Sequence, residues 1–527
     1  MLHRRECYAV AGLLGLASCF VMPDTLGTAC VQDLDCNSGQ SCEQGICVEI
    51  GDSDAAASET GTGTGTDTGT DTSTEADTST DMPEPLPDGS VRLVHAAPDV
   101  GPVDVYSSGS DQPLVEGLAY AEVSNWLDID IGDYSFELRP AGADPLVAPL
   151  HVSDVVAVDE GDRISVVAAG LLDGGPEDLL RSLAIREDWG TDLADRARAR
   201  IVHAGSDAPT LTIDGLEGPP FVLSRFADSP AAGVPLDVAG ERVELFEGDT
   251  LLTAFTTPPL AEGEQVLLVA TGLFGALARE DDGFSLIAVG EDGLLGRVLQ
   301  DPQVFTLHGA YDAGNLENCT NDFEVAANFN FGEVQSAFLS PGDYDFEIFG
   351  YPSGCTGTPL NPGGNASGAL EAGERYMLLL TGEQSPDEGE PALQVATFRD
   401  RFATDQVDAT SIRFVHGASA EQIYVGNVTD GEIKAEDVYT NPIAWRSESE
   451  PSSLAQGMYL LGVADAINLP APPLTPLVTF DFTSTAGPRE WGIVAGDPSP
   501  GPGDKIIQLL LIDTATPGWD VEIININ

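Results

Sequence analysis

The sequence predicts an all-β protein: four tandem immunoglobulin-like β-sandwich domains that follow a disordered acidic linker. Three observations predict it. A nine-residue phrase recurs as VRLVHAAPD (91–99), ARIVHAGSD (199–207), VFTLHGAYD (304–312) and IRFVHGASA (412–420). Its histidines, His95, His203, His308 and His416, are spaced by 108, 105 and 108 residues. That is the size of a self-contained sandwich, and longer than the ~20–50-residue period of a solenoid or propeller blade. Apolar and polar residues then alternate with period two in YSFEL, RVELF and YDFEI, the mark of strands with one buried face. Gly-Asp and Glu-Gly pairs punctuate these runs as turn signals, and helical periodicity reaches at most a turn or two, at DLADRARAR (192–200).

The chain opens on MLHRRECYAVAGLLGLASC, a short basic region (Arg4, Arg5) followed by an apolar stretch and small residues. Residues 1–18 read as a secretory signal whose apolar region is too short to span a bilayer. Leu16-Ala17-Ser18-Cys19 resembles the bacterial lipobox, in which the signal is cut before a lipid-bearing cysteine. Acylation of Cys19 would anchor the protein to an outer membrane or cell surface, at about 0.8 kcal/mol per buried methylene. No other segment approaches the ~20 continuous apolar residues of a transmembrane helix.

Residues 19–50 form a Cys-rich module, CVQDLDCNSGQSCEQGIC, with Cys30, Cys36, Cys42 and Cys47 spaced C-x5-C-x5-C-x4-C. With Cys319 and Cys355 they make an even set, which in an exported protein reads as disulfides of open connectivity. The spacing lacks the C-x2-C knuckles and histidines of a zinc site. Asp33, Asp35 and Asn37 alternate like the start of a calcium loop, but Ser38 stands where the loop requires glycine and the twelfth position lacks glutamate. They are weak metal candidates. Residues 51–90, rich in Thr, Gly and Asp, offer almost nothing apolar to offset the entropy of ordering and are expected to form a disordered tether.

The four repeats are placed at 91–193, 197–297, 303–402 and 411–527, the last being the most divergent. Each carries a second beat: GDYSFELRPAG (132–142), GERVELFEG (240–248), GDYDFEIFGY (342–351) and, weakly, GMYLLGVAD (457–465). A third beat follows: EGDRISVVAAG (160–170), EGEQVLLVATG (262–272), AGERYMLLLTG (372–382) and AGPREWGIVAG (486–496). The opening V-R-x-V-H-A-x-x-D-x-x-x-V-D-V-Y, the G-x-Y-x-F-E-L and the E-G-x-x-x-x-V-V-A-x-G resemble the bacterial domain of unknown function 4397 (DUF4397). The likeness is good in the first repeat, fair in the second and third, and partial in the fourth. It implies a β-sandwich of exported and cell-surface proteins, with no established activity and no catalytic residues to transfer.

Asp99, Asp207 and Asp312 stand four residues after the first three histidines, whereas Ala420 occupies that place in the fourth repeat. One reading makes each histidine and aspartate a pair serving a metal or a nucleophile. The other packs the ring half-buried against a loop carbonyl and gives the aspartate to its own local turn. Ala420 favours the second, since a shared mechanism would not tolerate its loss. No G-x-S-x-G elbow, H-E-x-x-H or P-loop occurs, and beyond the repeat histidines the mature chain has only His151.

The charge sets the partner class. Against 86 Asp+Glu stand 22 Lys+Arg, a formal net of −64, and only Lys434 and Lys505 are lysines. Such a field repels nucleic acid and anionic membrane surfaces and suits a salty exterior. The expectation is therefore a non-enzymatic cell-surface lipoprotein with an adhesive, structural or ligand-contact role. It would bear four sandwiches as beads, reach the membrane through its lipid, contact a surface protein or glycan through loops, and bind no nucleic acid and no cofactor. A calcium or nutrient binder is the alternative, with Ca2+ the one candidate ion; a carboxylate-based hydrolase ranks below both.

Overall fold

Each histidine phrase is a β-strand, and it lies in the interior of its sheet. In the computed structural model the described residues are 89–526, apart from 145, 190–194, 322, 387–389, 403–407, 420–421, 467–471, 498–506 and 516–517, together with the backbone of 40–43 and 46–49. The histidine strands are Gly89–Ala96, Ala197–His203, Gln303–His308 and Ala409–Ala418. Each pairs in parallel with the strand of the third beat: Arg163–Ala169, Gln265–Thr271, Arg375–Thr381 and Arg489–Gly496. The register is the same in all four, setting His95 beside Ala168, His203 beside Ala270, His308 beside Leu380 and His416 beside Val494.

A closing antiparallel strand flanks this pair on one side and a short strand on the other, giving a mixed sheet with the same order four times. The second and fourth sheets carry one further strand, Gly293–Leu299 and Val521–Ile524. Opposite each lies an antiparallel sheet centred on the second beat; in the first, Val103–Ser107 pairs with Phe136–Pro140. No helix occurs among the described residues, and the architecture is an all-β array of sandwiches. Two expectations change at the edges. Residues 197–200, read as a possible helical turn, belong to a strand, because Ala197, Ala199 and Ile201 alternate inward with period two. The first strand begins at Gly89, inside the stretch assigned to the linker.

Every sandwich has its own core. Val91, Leu93, Val103, Phe136, Ile164 and Val166 fill the first; Ile201, Leu211, Leu245, Leu268 and Phe284 the second. Val304, Phe346, Ile348 and Leu378 fill the third, and Ile412, Phe414, Leu461 and Phe480 the fourth. The outward faces of the mixed sheets are apolar too. Val94, Ala96, Val167 and Ala169 of the first sandwich pack on Val202, Leu267, Val269 and Ile287 of the second. Phe305, Leu307, Met377 and Leu379 of the third pack on Val415, Trp491, Ile493 and Leu510 of the fourth.

The sandwiches are thus not beads. They stack in two pairs through apolar sheet-on-sheet seams, within one compact unit spanning Pro83–Asn527. The physical reason is that a strand buried on both faces must be apolar on both, as RISVVAA and RYMLLLT are.

In the separate unit Met1–Met82, Gln40–Glu43 pairs antiparallel with Ile46–Glu49, setting the backbone of Cys42 opposite that of Cys47. The signal segment with Cys19, as well as Cys30, Cys36, Asp33, Asp35, Asn37 and linker residues 51–88, lie outside the described residues.

Cys319 and Cys355 form a disulfide between neighbouring parts of the third sandwich, with Cα atoms 5.8 Å apart and a separation of 36 residues. Closing such a loop restricts the unfolded chain by about 4 kcal/mol. The double variant Cys319→Ser, Cys355→Ser is expected to lose that much in urea denaturation under oxidising conditions.

Candidate functional site

The imidazoles are where chemistry would be sought, and their surroundings define what they do. All four rings are buried. His95 Nε2–H donates to the carbonyl of Gly101 at 3.2 Å, while the Ala97 amide donates to Nδ1 at 3.4 Å. His203 and His308 donate in the same way to the carbonyls of Pro209 (2.8 Å) and Gly314 (2.9 Å), each six residues on. At His416 the Ala418 amide donates to Nδ1 at 3.3 Å. The ring pins the turn that carries the chain from one sheet to the other. With one nitrogen donating and the other accepting, His95 presents no lone pair to a metal.

The histidine backbones act alike. The carbonyls of His95, His203, His308 and His416 accept the amides of Ala121, Phe226, Gly332 and Arg446, and their own amides donate into the same turns. That amide-donating residue has positive φ in every repeat, near +60° at Ala121, Phe226 and Arg446 and +81° at Gly332.

The aspartates do not meet the rings. Asp99 accepts the Leu172 amide at 2.9 Å; Asp207 accepts Phe274 (2.6 Å) and Gly275 (3.1 Å); Asp312 accepts Gln384 (2.9 Å) and Ser385 (3.1 Å). Each reaches across about 70 residues to clasp the loop after the third beat, where a local turn had been expected. That loop begins at Gly170, Gly272 and Gly382, with φ of +95°, +90° and +92°, where a Cβ would lie within 2.6 Å of a carbonyl oxygen. Ala420 lies outside the described residues. Histidine and aspartate are two separate clasps, and no nucleophile–base pair is assembled from them.

Among the described residues one acid–thiol trio has ligand spacing: Glu317, Cys319 and Cys355. Both sulfurs are spent in the disulfide. The Glu317 carboxylate accepts the Ser353 hydroxyl (2.5 Å) and amide (2.8 Å) and the Cys355 amide (3.2 Å). Burial opposes its charge, but these donors outweigh burial and hold the carboxyl below its ordinary range. The trio is a structural knot rather than a metal centre.

The residues that sequence reasoning passed over are the arginines, which gather at the seams. Arg92, 1% exposed, donates to Ser165 Oγ (2.7 Å), pairs with Glu187, and reaches the Gly290 carbonyl of the second sandwich. Arg200 reaches back to the Arg186 carbonyl, Arg225 pairs with Asp178 at 2.7 Å, and Arg181 lies 3.9 Å over the Phe226 ring. Between the second and third sandwiches, Arg242 donates to the Phe338 carbonyl (3.0 Å) and Arg279 to that of Phe402 (3.2 Å). Arg375 donates to the Thr514 carbonyl and Arg446 to that of Val395 (2.7 Å), closing the third sandwich on the fourth.

Position two of the repeated phrase is a seam position in every repeat: Arg92, Arg200, Phe305 and Arg413. Where Phe305 replaces arginine, it stacks on Trp519 of the fourth sandwich at 3.8 Å.

Glu490 shows the cost of this acidity. Burial first, then Asp513 and Glu522 on the next strands, push its carboxyl up to about 7. Between the ordinary glutamate value and that one, the folded chain holds a proton the unfolded chain has released. Stability therefore falls as pH rises through this window, and the full penalty is reached above it. Glu490→Gln is expected to gain about 3 kcal/mol near pH 8 and nothing near pH 4, read from paired urea melts. Burial acts in the opposite sense on His95 and His203, whose imidazoles are held below their ordinary value. Their neutral form supports the fold above about pH 6.5, and that support is lost as pH falls below it.

Residues 89–214 match the family model described as "Domain of unknown function (DUF4397)". The match spans the first sandwich and the opening strands of the second, so a DUF4397-type domain is present there. No curated protein matches the chain. Among solved structures, it is similar to one titled "The Bacillus anthracis TIE protein" at 9% identity and a TM-score of 0.14, over 75% of this chain and 66% of that one. The chain therefore spans just under two thirds of that structure's length.

Proposed function

We propose that this is an exported, lipid-anchored surface protein that holds paired β-sandwiches away from a membrane and offers their loops and outer sheets for adhesive or structural contact. The observation that carries the reading is how the charge is divided. About half of the few arginines turn inward to the seams, as Arg92, Arg242 and Arg375 do, while others such as Arg186 and Arg401 stay exposed, and the exterior of a chain with 86 acids against 22 cations remains dominated by carboxylates. Such a surface stays soluble in salt and avoids anionic polymers. The histidines and aspartates of the repeated phrase support the same reading, since their bonds serve loops. Protein and glycan partners fit the loop ends of the sandwiches, where binding residues concentrate in such folds.

Mass spectrometry of the mature N-terminus tests the anchor. A diacylglyceryl group on Cys19 is expected, and an unacylated start at another residue contradicts it. Thermal melts with calcium and with chelator separate the cation-binding alternative: superimposable curves are expected here, and a calcium-dependent rise would favour the alternative.

A further inference from the structure

The arginines converge once more, around a cleft of about 300 Å³ where the second, third and fourth sandwiches meet. Phe274 and Leu277 line it from the second, Phe338 and Arg375 from the third, and Arg489 from the fourth. Arg375 is committed: it pairs with Asp400 at 2.6 Å, and Arg279 stands 3.4 Å from the same fully buried carboxylate. Arg489 is not. Its guanidinium has no hydrogen bond or ion pair among the described residues, although it lies close enough to Arg375 for the two charges to repel.

In a chain with net charge −64, an unpaired guanidinium in a concave, partly aromatic site calls for an anion. Its planar fork matches a carboxylate bidentately. Glu280, Asp301 and Glu374 line the same cleft; Asp301 is answered by Arg242 at 3.0 Å and Glu374 by Arg399 at 2.7 Å, and together the three disfavour a second negative charge on the ligand. The volume lies at the low end of the ~300–1,000 Å³ that holds small molecules.

We propose that this cleft binds a small organic monocarboxylate, with the carboxylate on Arg489 and the apolar body between Phe274 and Phe338. The site exists only where three sandwiches meet, so its ligand also ties the two pairs together. The proposal goes beyond the surface-contact role and does not depend on it.

Isothermal titration of the full chain with benzoate, phenylacetate and hexanoate tests it, with succinate and phosphate as counter-ligands. Saturable one-site binding of at least one monocarboxylate is expected, with little or none of the dianions. Arg489→Gln should weaken it at least tenfold with an unchanged melting temperature, because no contact is lost. Arg489→Lys, which keeps charge without the fork, should fall between, and Glu280→Gln should tighten binding. If Arg489→Gln lowers the melting temperature, the lysine variant decides. Failure of all three monocarboxylates to bind, equal binding by the arginine variants, or equal binding of succinate and phosphate would overturn the proposal.

Discussion

Replacing Trp491 by alanine is expected to destabilise the third and fourth sandwiches together, by about 4 kcal/mol. Trp491 is fully buried and is the largest such side chain among the described residues. It does not point into the core of its own sandwich. Its strand neighbours Gly492 and Val494 face inward, towards Phe414 and Leu461. Trp491 itself faces the seam, edge-on to Phe402 at 5.5 Å and to Trp519 at 5.0 Å, with Nε1 donating to Glu448 at 3.3 Å. Alanine would leave a cavity between two sheets too tightly packed to collapse fully, and the half-buried Glu448 carboxylate short of a donor. Urea denaturation with probes in each sandwich should show both midpoints moving. Loss confined to the fourth would mean the seam contributes little.

Arg92→Met is expected to cost about 3–4 kcal/mol. The guanidinium lies beneath the Trp126 ring at 4.4 Å and answers Glu187, whose side chain is only 4% exposed. Removing the cation strands that carboxylate in the interior with only the Ser165 hydroxyl for company among the described residues. The cost lies mostly in the abandoned charge, so the double variant Arg92→Met, Glu187→Leu should recover most of the loss in the same urea melts. A double variant no better than the single one would show that the Gly290 carbonyl, not Glu187, is the partner that matters.

The repeat was legible because it is local. Four phrases at near-constant spacing each became a central strand, and YSFEL and YDFEI alternate because one face of their sheet looks outward. The partners of that local pattern were hidden in long-range geometry. Asp207 reads as a turn residue, yet bonds amides at 274 and 275. Histidine burial was underestimated, because nothing in a short phrase states that its strand is covered on both sides.

A signal for the seams was nonetheless present. The third beat does not alternate: VLLVAT and MLLL are unbroken apolar runs, which only double-sided burial explains. Arginine at position two of a strand otherwise apolar was a second sign. In a chain so poor in cations, a buried-strand arginine needs a carbonyl or carboxylate across an interface. Arg489 and Glu490 were invisible by the same logic, since their significance lies in what surrounds them.

A double-mutant cycle on Phe305 and Trp519 tests the pairing of sandwiches most directly. The rings stack at 3.8 Å across the seam between the third and fourth sandwiches and share no sheet. A coupling energy of about 1 kcal/mol or more between Phe305→Ala and Trp519→Ala is expected from such a stacked pair. Strictly additive losses would mean that the two sandwiches fold as independent bodies.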